Sequence, residues 1–326
     1  MDLFFVISGV VIAESTRGLP AALRSAFRFT AVRFARIFLG WWPFFALYLL
    51  SDVLVGQLAP EVSLFGSFFL LPISINKLLL GITWTLSFEL YFYLMVGTLL
   101  VLSRARLRMA LCIWGAAVLA FTLYSLARGL YKPEHFRDVT IAQGFFGAPI
   151  VLEFIAGFFL CDYLRKKPGT PWQPFALVAL LLGGAATWYQ IHGGLHASGL
   201  AGYFHGPERA LLIGGACCGL VACALLLGES NHAVVRWAVR MGDASYAIYL
   251  SHLLVITMFY LLVVRVGIPA NYKLRLFVPV VAAVVAYSWL HYRWIERPLY
   301  QAARGRIQAA FRYPQTKPAN LIFPAD

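Results

Sequence analysis

The sequence predicts an all-α fold, a polytopic bundle of transmembrane helices, on three observations. Of its 326 residues, 61% are hydrophobic and 13% charged, a balance that leaves too little polar surface for a water-soluble domain. Apolar runs of about 20 residues, the length a helix needs to cross about 30 Å of hydrocarbon, recur along the chain. Those runs lack the alternating polarity, in segments of about 10 residues, that marks transmembrane β-strands. Five cysteines and 16% aromatic residues also fit neither a disulfide scaffold nor a disordered chain.

Taken in order, the chain opens with Met1 to Ala13 (MDLFFVISGVVIA), which is apolar but too short to cross. It reads as half a helix that ends inside, so the remainder of that helix and one further helix are expected upstream. A cleaved signal peptide would carry its basic residues before the apolar run, whereas here they follow it. Eight full spans are expected at 37–56, 83–102, 109–127, 145–164, 173–191, 208–228, 244–264 and 276–295. Between the first two, residues 63–80 carry Ser63, Ser67, Pro72, Ser74, Asn76 and Lys77 and read as re-entrant or interfacial. Residues 1–296 form one membrane domain, and 297–326 a basic, weakly ordered cytoplasmic tail containing Pro314, Pro318 and Pro324.

Charge placement supports that topology. It gathers 19 of the 27 basic residues on one side, among them Arg17, Arg24, Arg28, Arg33 and Arg36, then Arg104, Arg106 and Arg108, then Arg165, Lys166 and Lys167. A spanning 63–80 segment would scatter them across both faces, against the positive-inside bias. The net charge of +13 is thus a topology signal and does not imply nucleic acid, although it admits anionic lipid or a phosphorylated cytoplasmic ligand.

Ionisable side chains at mid-membrane cost roughly 2.5 to 3.5 kcal/mol each on insertion scales and face a bundle interior, a cavity or a partner. Asp2, Glu89, Glu153 and His252 fall there. Glu89 shares a helix face with Tyr93, one turn on, and a helix-to-helix hydrogen bond is the structural alternative. Glu153 is either a site residue or a single acid bracing the bundle. His252 is a candidate base, or is satisfied by its neighbours Tyr249 and Ser251. Arg33 and Arg36, one turn apart before a span, are snorkelling topology residues or a paired fork for phosphate oxygens. His192, His196 and His205 lie in a glycine-rich outer loop without acidic or Cys partners at ligand spacing, and no metal site is expected from them. The cysteines sit within spans as small apolar residues. No P-loop, dinucleotide glycine motif, Gly-x-Ser-x-Gly elbow or His-Glu-x-x-His is present.

Read together, four stretches resemble the membrane acyltransferase-3 family. Asp2 to Ile12 (DLFFVISGVVI) is similar to the family's GVDLFFVLSGFLI helix, followed by the Arg-x-x-Arg of Arg33 and Arg36. ITWTLSFELYFYL (Ile82 to Leu94) resembles its W-[ST]-L-S-x-E-x-x-F-Y signature through Trp84, Ser87, Glu89, Phe92 and Tyr93. MGDASYAIYLSH (Met241 to His252) resembles its G-x-x-SYSIYLxH helix, and IERPL (Ile295 to Leu299) the close of its last span. PIVLEFIAGFFL (Pro149 to Leu160) adds a looser match common among members that modify exopolysaccharides.

The resemblance implies ten core helices, both ends cytoplasmic, in a bacterial-type inner membrane. It also implies a first helix with an Arg-x10-His motif, to whose histidine the family's chemistry is attributed and whose position no residue of this chain occupies. The implied reaction transfers an acyl group, most often acetyl, from cytoplasmic acyl-CoA, a co-substrate with no tightly bound cofactor beside it, to a hydroxyl of a cell-surface or lipid-linked glycan. Arg33 and Arg36 would hold the donor, Asp2 would orient the histidine, and Glu89 or His252 would act as acid or base. Trp84, Ser87, Tyr93 and Glu153 would shape the acceptor site. Two alternatives stand beside this reading. One is a transporter or flippase of a lipid-linked sugar, which the lack of an internal repeat disfavours, and the other is an inactive truncated remnant.

Overall fold

A computed structural model describes residues 1–132, 135, 138–192, 197–198, 204–228, 232–267 and 276–311. The fold is helical, as the composition requires. In chain order the helices are α1 (Asp2–Ser15), α2 (Leu23–Val55), α3 (Leu64–Phe68), α4 (Trp84–Leu99), α5 (Arg104–Ala127), α6 (Ile141–Phe146), α7 (Ile150–Lys166) and α8 (Gln173–His192). There follow α9 (Pro207–Arg209), α10 (Gly215–Leu227), α11 (Ala233–Asp243), α12 (Ser245–Val266), α13 (Phe277–His291) and α14 (Arg297–Ala310). A two-residue antiparallel pairing of β1 (Ala197–Ser198) with β2 (Phe204–His205) precedes α9.

Six helical stretches among the described residues are long and apolar enough to cross a membrane: Leu23–Val55, Arg104–Ala127, Ile141–Lys166, Gln173–His192, Pro207–Leu227 and Ser245–Val263. Two of the eight expected spans are thus shorter helices. The run at 83–102 yields α4, of 16 residues, which follows a 3₁₀ turn at Gly81–Thr83 and ends at Leu99, short of the expected end. The run at 276–295 yields α13, of 15 residues, which passes into a π-helical turn at Tyr292–Glu296. Residues 63–80 hold the five-residue α3 and a 3₁₀ turn at Ile75–Lys77, and no helix that could cross.

Two further expectations change. The basic stretch before the first full span is itself helical: α2 runs 33 residues from Leu23, so Arg24, Arg28, Arg33 and Arg36 ride on its first turns. The beginning of the tail is helical: α14 covers Arg297–Ala310 and continues directly from the π-helical turn, with Pro298 near its start. Its Ala, Gln and Arg residues are good helix formers. Residues 312–326, with Lys317 and the three tail prolines, lie outside the described residues.

The chain divides into two compact units, one of Met1–Thr30 with Phe69–Gly228, the other of Ala31–Phe68 with Glu229–Arg312. In the first, α1 lies against α7 with the two backbones in direct contact. A Cβ at Gly9 would meet the Phe154 carbonyl, and one at Gly157 the Val6 carbonyl. Small residues that let backbones approach in this way drive helix association where the hydrophobic effect cannot. Around this crossing the aromatics close-pack. Phe88 stacks on Phe145 at 4.2 Å and Phe92 on Phe154 at 4.3 Å, while Phe5 meets Phe88 and Phe92 edge-on.

In the second unit the helices are joined by neutral hydrogen bonds. Tyr48 on α2 donates to the Leu250 carbonyl of α12 at 3.0 Å and accepts from the Leu254 N–H at 2.8 Å. Tyr246 donates to the Ile37 carbonyl at 2.9 Å, and Gly40 leaves room for its ring. Ser251 of α12 meets Ser288 of α13 at 2.7 Å. Trp41 Nε1 donates to the Ser67 carbonyl at 2.9 Å and ties α3 to α2.

Candidate functional site

The first unit brings together two of the acids predicted from sequence and adds a residue that was not. Asp2 opens α1 and Glu153 lies in the first turn of α7, so the glycine-mediated crossing carries both carboxylates inward. They are 4% and 3% exposed. Arg209, the last residue of α9, grips Asp2 with two parallel bonds, Nε to Oδ1 at 3.0 Å and a terminal nitrogen to Oδ2 at 2.9 Å. This fork-on-fork geometry is the strongest form of carboxylate recognition by a side chain.

Neither oxygen of Glu153 has a hydrogen-bond partner among the described residues. The carboxyl lines a small cavity with Asp2, Arg209, Pro149, Ile150, Gly206 and Ala210. A Cβ at Gly214 would lie 2.9 Å from the Glu153 carboxyl carbon, so glycine there is what leaves space for the acid. Gly214 ends a π-helical turn, Ala210–Gly214, that follows Arg209 directly. Such turns widen a helix locally and recur at functional sites. Two carboxyl groups, both buried, thus lie beside one guanidinium, in a setting where an uncompensated charge is costly. Arg209 fell inside the predicted 208–228 span, so the signal was an arginine within an apolar run, opposite in sign to the mid-membrane acids.

Glu89 lies in the same unit, 5% exposed on α4. Tyr93, one turn on, donates its hydroxyl to Glu89 Oε1, which is the pairing the helical spacing predicts. Trp84 begins α4 and packs edge-on against Phe88, and Tyr93 rests against Phe29. Ser87 is buried, its hydroxyl without a hydrogen-bond partner among the described residues.

At the far end of α1 a second ionic cluster explains part of the basic signal. Arg104 donates to Asp162 at 2.9 Å and to Thr16 Oγ1 at 2.9 Å, Arg108 donates to Asp162 at 2.7 Å, and Arg165 pairs with Glu14. Residues read only as markers of topology therefore also pin α5 and α7 to the end of α1.

The second unit holds the other predicted residues. Arg33 and Arg36 sit one turn apart on α2, both half-buried. The Arg36 guanidinium lies over the Tyr300 ring at 5.8 Å, and Arg36 is the charge that bears on the buried Glu296. His252 on α12 is bonded through Nδ1 to the Tyr249 carbonyl at 2.7 Å. A carbonyl only accepts, so Nδ1 carries the proton and Nε2 of the neutral ring is the basic nitrogen. Of the two neighbours proposed to satisfy this histidine, Tyr249 does so, while Ser251 turns to Ser288. His291, which the sequence reading passed over, is buried and stacked on Phe44 at 4.2 Å.

Among the described residues no group of three His, Cys, Asp or Glu side chains is arranged to hold a metal ion. His192 bonds to the Trp188 carbonyl at 2.9 Å, while His196 and the His205 side chain lie outside the described residues.

A helical bundle with six membrane-length apolar helices and carboxylates buried beside guanidinium groups belongs to the multi-pass membrane proteins that carry polar chemistry in their interior. More narrowly, the chain belongs to the acyltransferase-3 family, whose acyltransferase domain matches residues 1–293. It is 29% identical over 229 residues to the exopolysaccharide production protein ExoZ of Rhizobium meliloti (strain 1021). That match takes in 68% of this chain and 62% of ExoZ, so the chain covers less than two thirds of that relative's length. No solved structure matches the chain.

Proposed function

We propose that the protein transfers an acyl group, acetyl in the simplest case, from cytoplasmic acyl-CoA to a hydroxyl of a cell-surface or lipid-linked glycan. The new ester bond forms to the acceptor oxygen as the thioester breaks, and the hydroxyl proton is balanced by release of the CoA thiol. The observation that carries this reading is the family match over residues 1–293. The name of the exopolysaccharide production relative supports a glycan acceptor. The bundle sits in a bacterial inner membrane, its C-terminus on the cytoplasmic side with most of the basic residues.

Arg33 and Arg36, half-buried and one turn apart, suit the donor's phosphates, and Tyr300 beneath Arg36 would hold one guanidinium flat for them. Glu89 handles the acceptor hydroxyl as acid, base or hydrogen-bond partner, and Tyr93 fixes the orientation of its carboxyl. Trp84 and Ser87 would shape the acceptor site beside it. His252, whose Nδ1 faces the Tyr249 carbonyl, would act as a base through Nε2. Glu153 offers two buried oxygens to an acceptor's hydroxyls, and Asp2, held by Arg209, would orient a neighbouring group.

The test is acyl transfer in proteoliposomes given radiolabelled acetyl-CoA on the Arg33 and Arg36 side, with label followed into glycan. Glu89→Gln should lower transfer by about 100-fold or more, the effect of losing a positioned acid or base. Unchanged transfer would remove Glu89 from the chemistry. Sugar movement across the vesicle without consumption of acetyl-CoA would replace the whole reading with transport.

A further inference from the structure

We infer that α11 is a membrane-surface helix that recognises anionic phospholipid headgroups. The sequence of α11, AVVRWAVRMGD, separates cleanly at 100° per residue. Val234, Trp237 and Met241 share one arc, while Arg236 and Arg240, one turn apart, and Asp243 occupy the other. No residue of the helix is buried, and among the described residues nothing covers its apolar arc: Val234 is 75% exposed and Trp237 60%.

What covers that arc follows from the connections. One residue, Ala244, separates α11 from α12, whose Ser245–Val263 stretch is of membrane-crossing length. Five residues separate it from α10, the end of the Pro207–Leu227 crossing stretch. A helix tethered this closely to two membrane spans has the bilayer surface within reach of every side chain. Its composition is that of an interfacial helix, with an apolar face, a tryptophan suited to the headgroup level and a basic polar face. The arginines give the recognition its sign, since each basic residue near an anionic surface strengthens binding and does so less as salt rises.

Hydrogen exchange on the whole protein in nanodiscs tests this, comparing phosphatidylcholine discs with discs that also contain phosphatidylglycerol. Amides of 233–243 should exchange about tenfold more slowly in the anionic discs, and high salt should remove most of that difference. Arg236→Gln with Arg240→Gln should erase the lipid dependence. Val234→Ser with Trp237→Ser should speed exchange in both discs. Unchanged protection of α7 serves as the control that each variant is folded. Equal exchange in both discs for the wild type would overturn the inference, and fast exchange in both would place the helix in water. Protection that tracks the number of chains per disc would overturn it too, by assigning the face to a second copy.

Discussion

The two units solve the same problem, how to keep polar groups inside an apolar bundle, in different ways. In the unit of Met1–Thr30 and Phe69–Gly228, four buried carboxyl groups occur among the described residues: Asp2, Glu89, Glu153 and Asp162. Asp2 and Asp162 are held by arginines and Glu89 by Tyr93. In the unit of Ala31–Phe68 and Glu229–Arg312, Glu296 is the one buried carboxyl among the described residues, and the helices are tied by hydroxyls bonded to carbonyls or to each other. Charged groups need dedicated partners, and losing one leaves the other stranded. Hydroxyls can fall back on carbonyls of their own helix. The first unit is therefore brittle to substitution at its polar sites and the second is tolerant.

The largest effect should come from Arg209→Met. With the guanidinium gone, Asp2 and Glu153 are two carboxyl groups buried side by side, and breaking such a pair costs roughly 3 to 5 kcal/mol. The Arg209 side chain is 23% exposed, which places the expected loss at the low end of that range. Thermal unfolding of the detergent-solubilised protein would read it, and adding Asp2→Asn to the same chain should recover a large share by removing the stranded charge. A loss below about 1 kcal/mol, the worth of a solvated pair, would break the contrast between the units.

Close packing sharpens the same comparison with a smaller effect. At Gly157 an added Cβ would run into the Val6 backbone, which has no rotamer with which to give way. Gly157→Ala should cost roughly 1 to 3 kcal/mol of unfolding free energy, the usual range for overpacking. Gly242, in the exposed α11 of the other unit, has none of the described residues near its would-be Cβ. Gly242→Ala should stay within about 0.5 kcal/mol of the parent in the same measurement. Equal costs at the two glycines would mean that the α1–α7 crossing is looser than its geometry.

This asymmetry also decides what the sequence could tell. Helical class was legible because about 20 consecutive apolar residues admit few other folds in lipid. Glu89, Glu153 and Asp2 stood out because a carboxylate in an apolar run has no cheap explanation, and the Glu89–Tyr93 pair followed from spacing alone. Arg209 was hidden because it sits at the start of a span, where an arginine also reads as an ordinary interfacial residue. The partners of Arg104 and Arg108 were hidden because Asp162 lies more than fifty residues away on another helix. The eight expected spans and the six membrane-length helices differ at α4 and α13, beside which 3₁₀ and π-helical turns break the regular α-helical hydrogen bonding, a change of register that apolar composition does not record. In the second unit the ties run from tyrosine to carbonyl and from serine to serine, and these residues are common enough in transmembrane helices that no single one announces a contact.

The smallest expected effect concerns one of those silent ties. Ser288 donates its only hydroxyl proton to the Val284 carbonyl at 2.5 Å, so in the Ser251–Ser288 contact at 2.7 Å Ser251 must be the donor and Ser288 the acceptor. Ser251→Ala then removes one bond and leaves Ser288 still bonded to its own helix. Ser288→Ala removes the acceptor and leaves the fully buried Ser251 hydroxyl in need of a new one. Both costs should fall near or below about 1 kcal/mol, the scale of hydrogen bonds between transmembrane helices, with Ser288→Ala the larger. A double-mutant cycle on unfolding free energy reads both numbers and their coupling. The reverse order would mean that the proton runs the other way, and a coupling indistinguishable from zero would mean that α12 and α13 are held by packing alone.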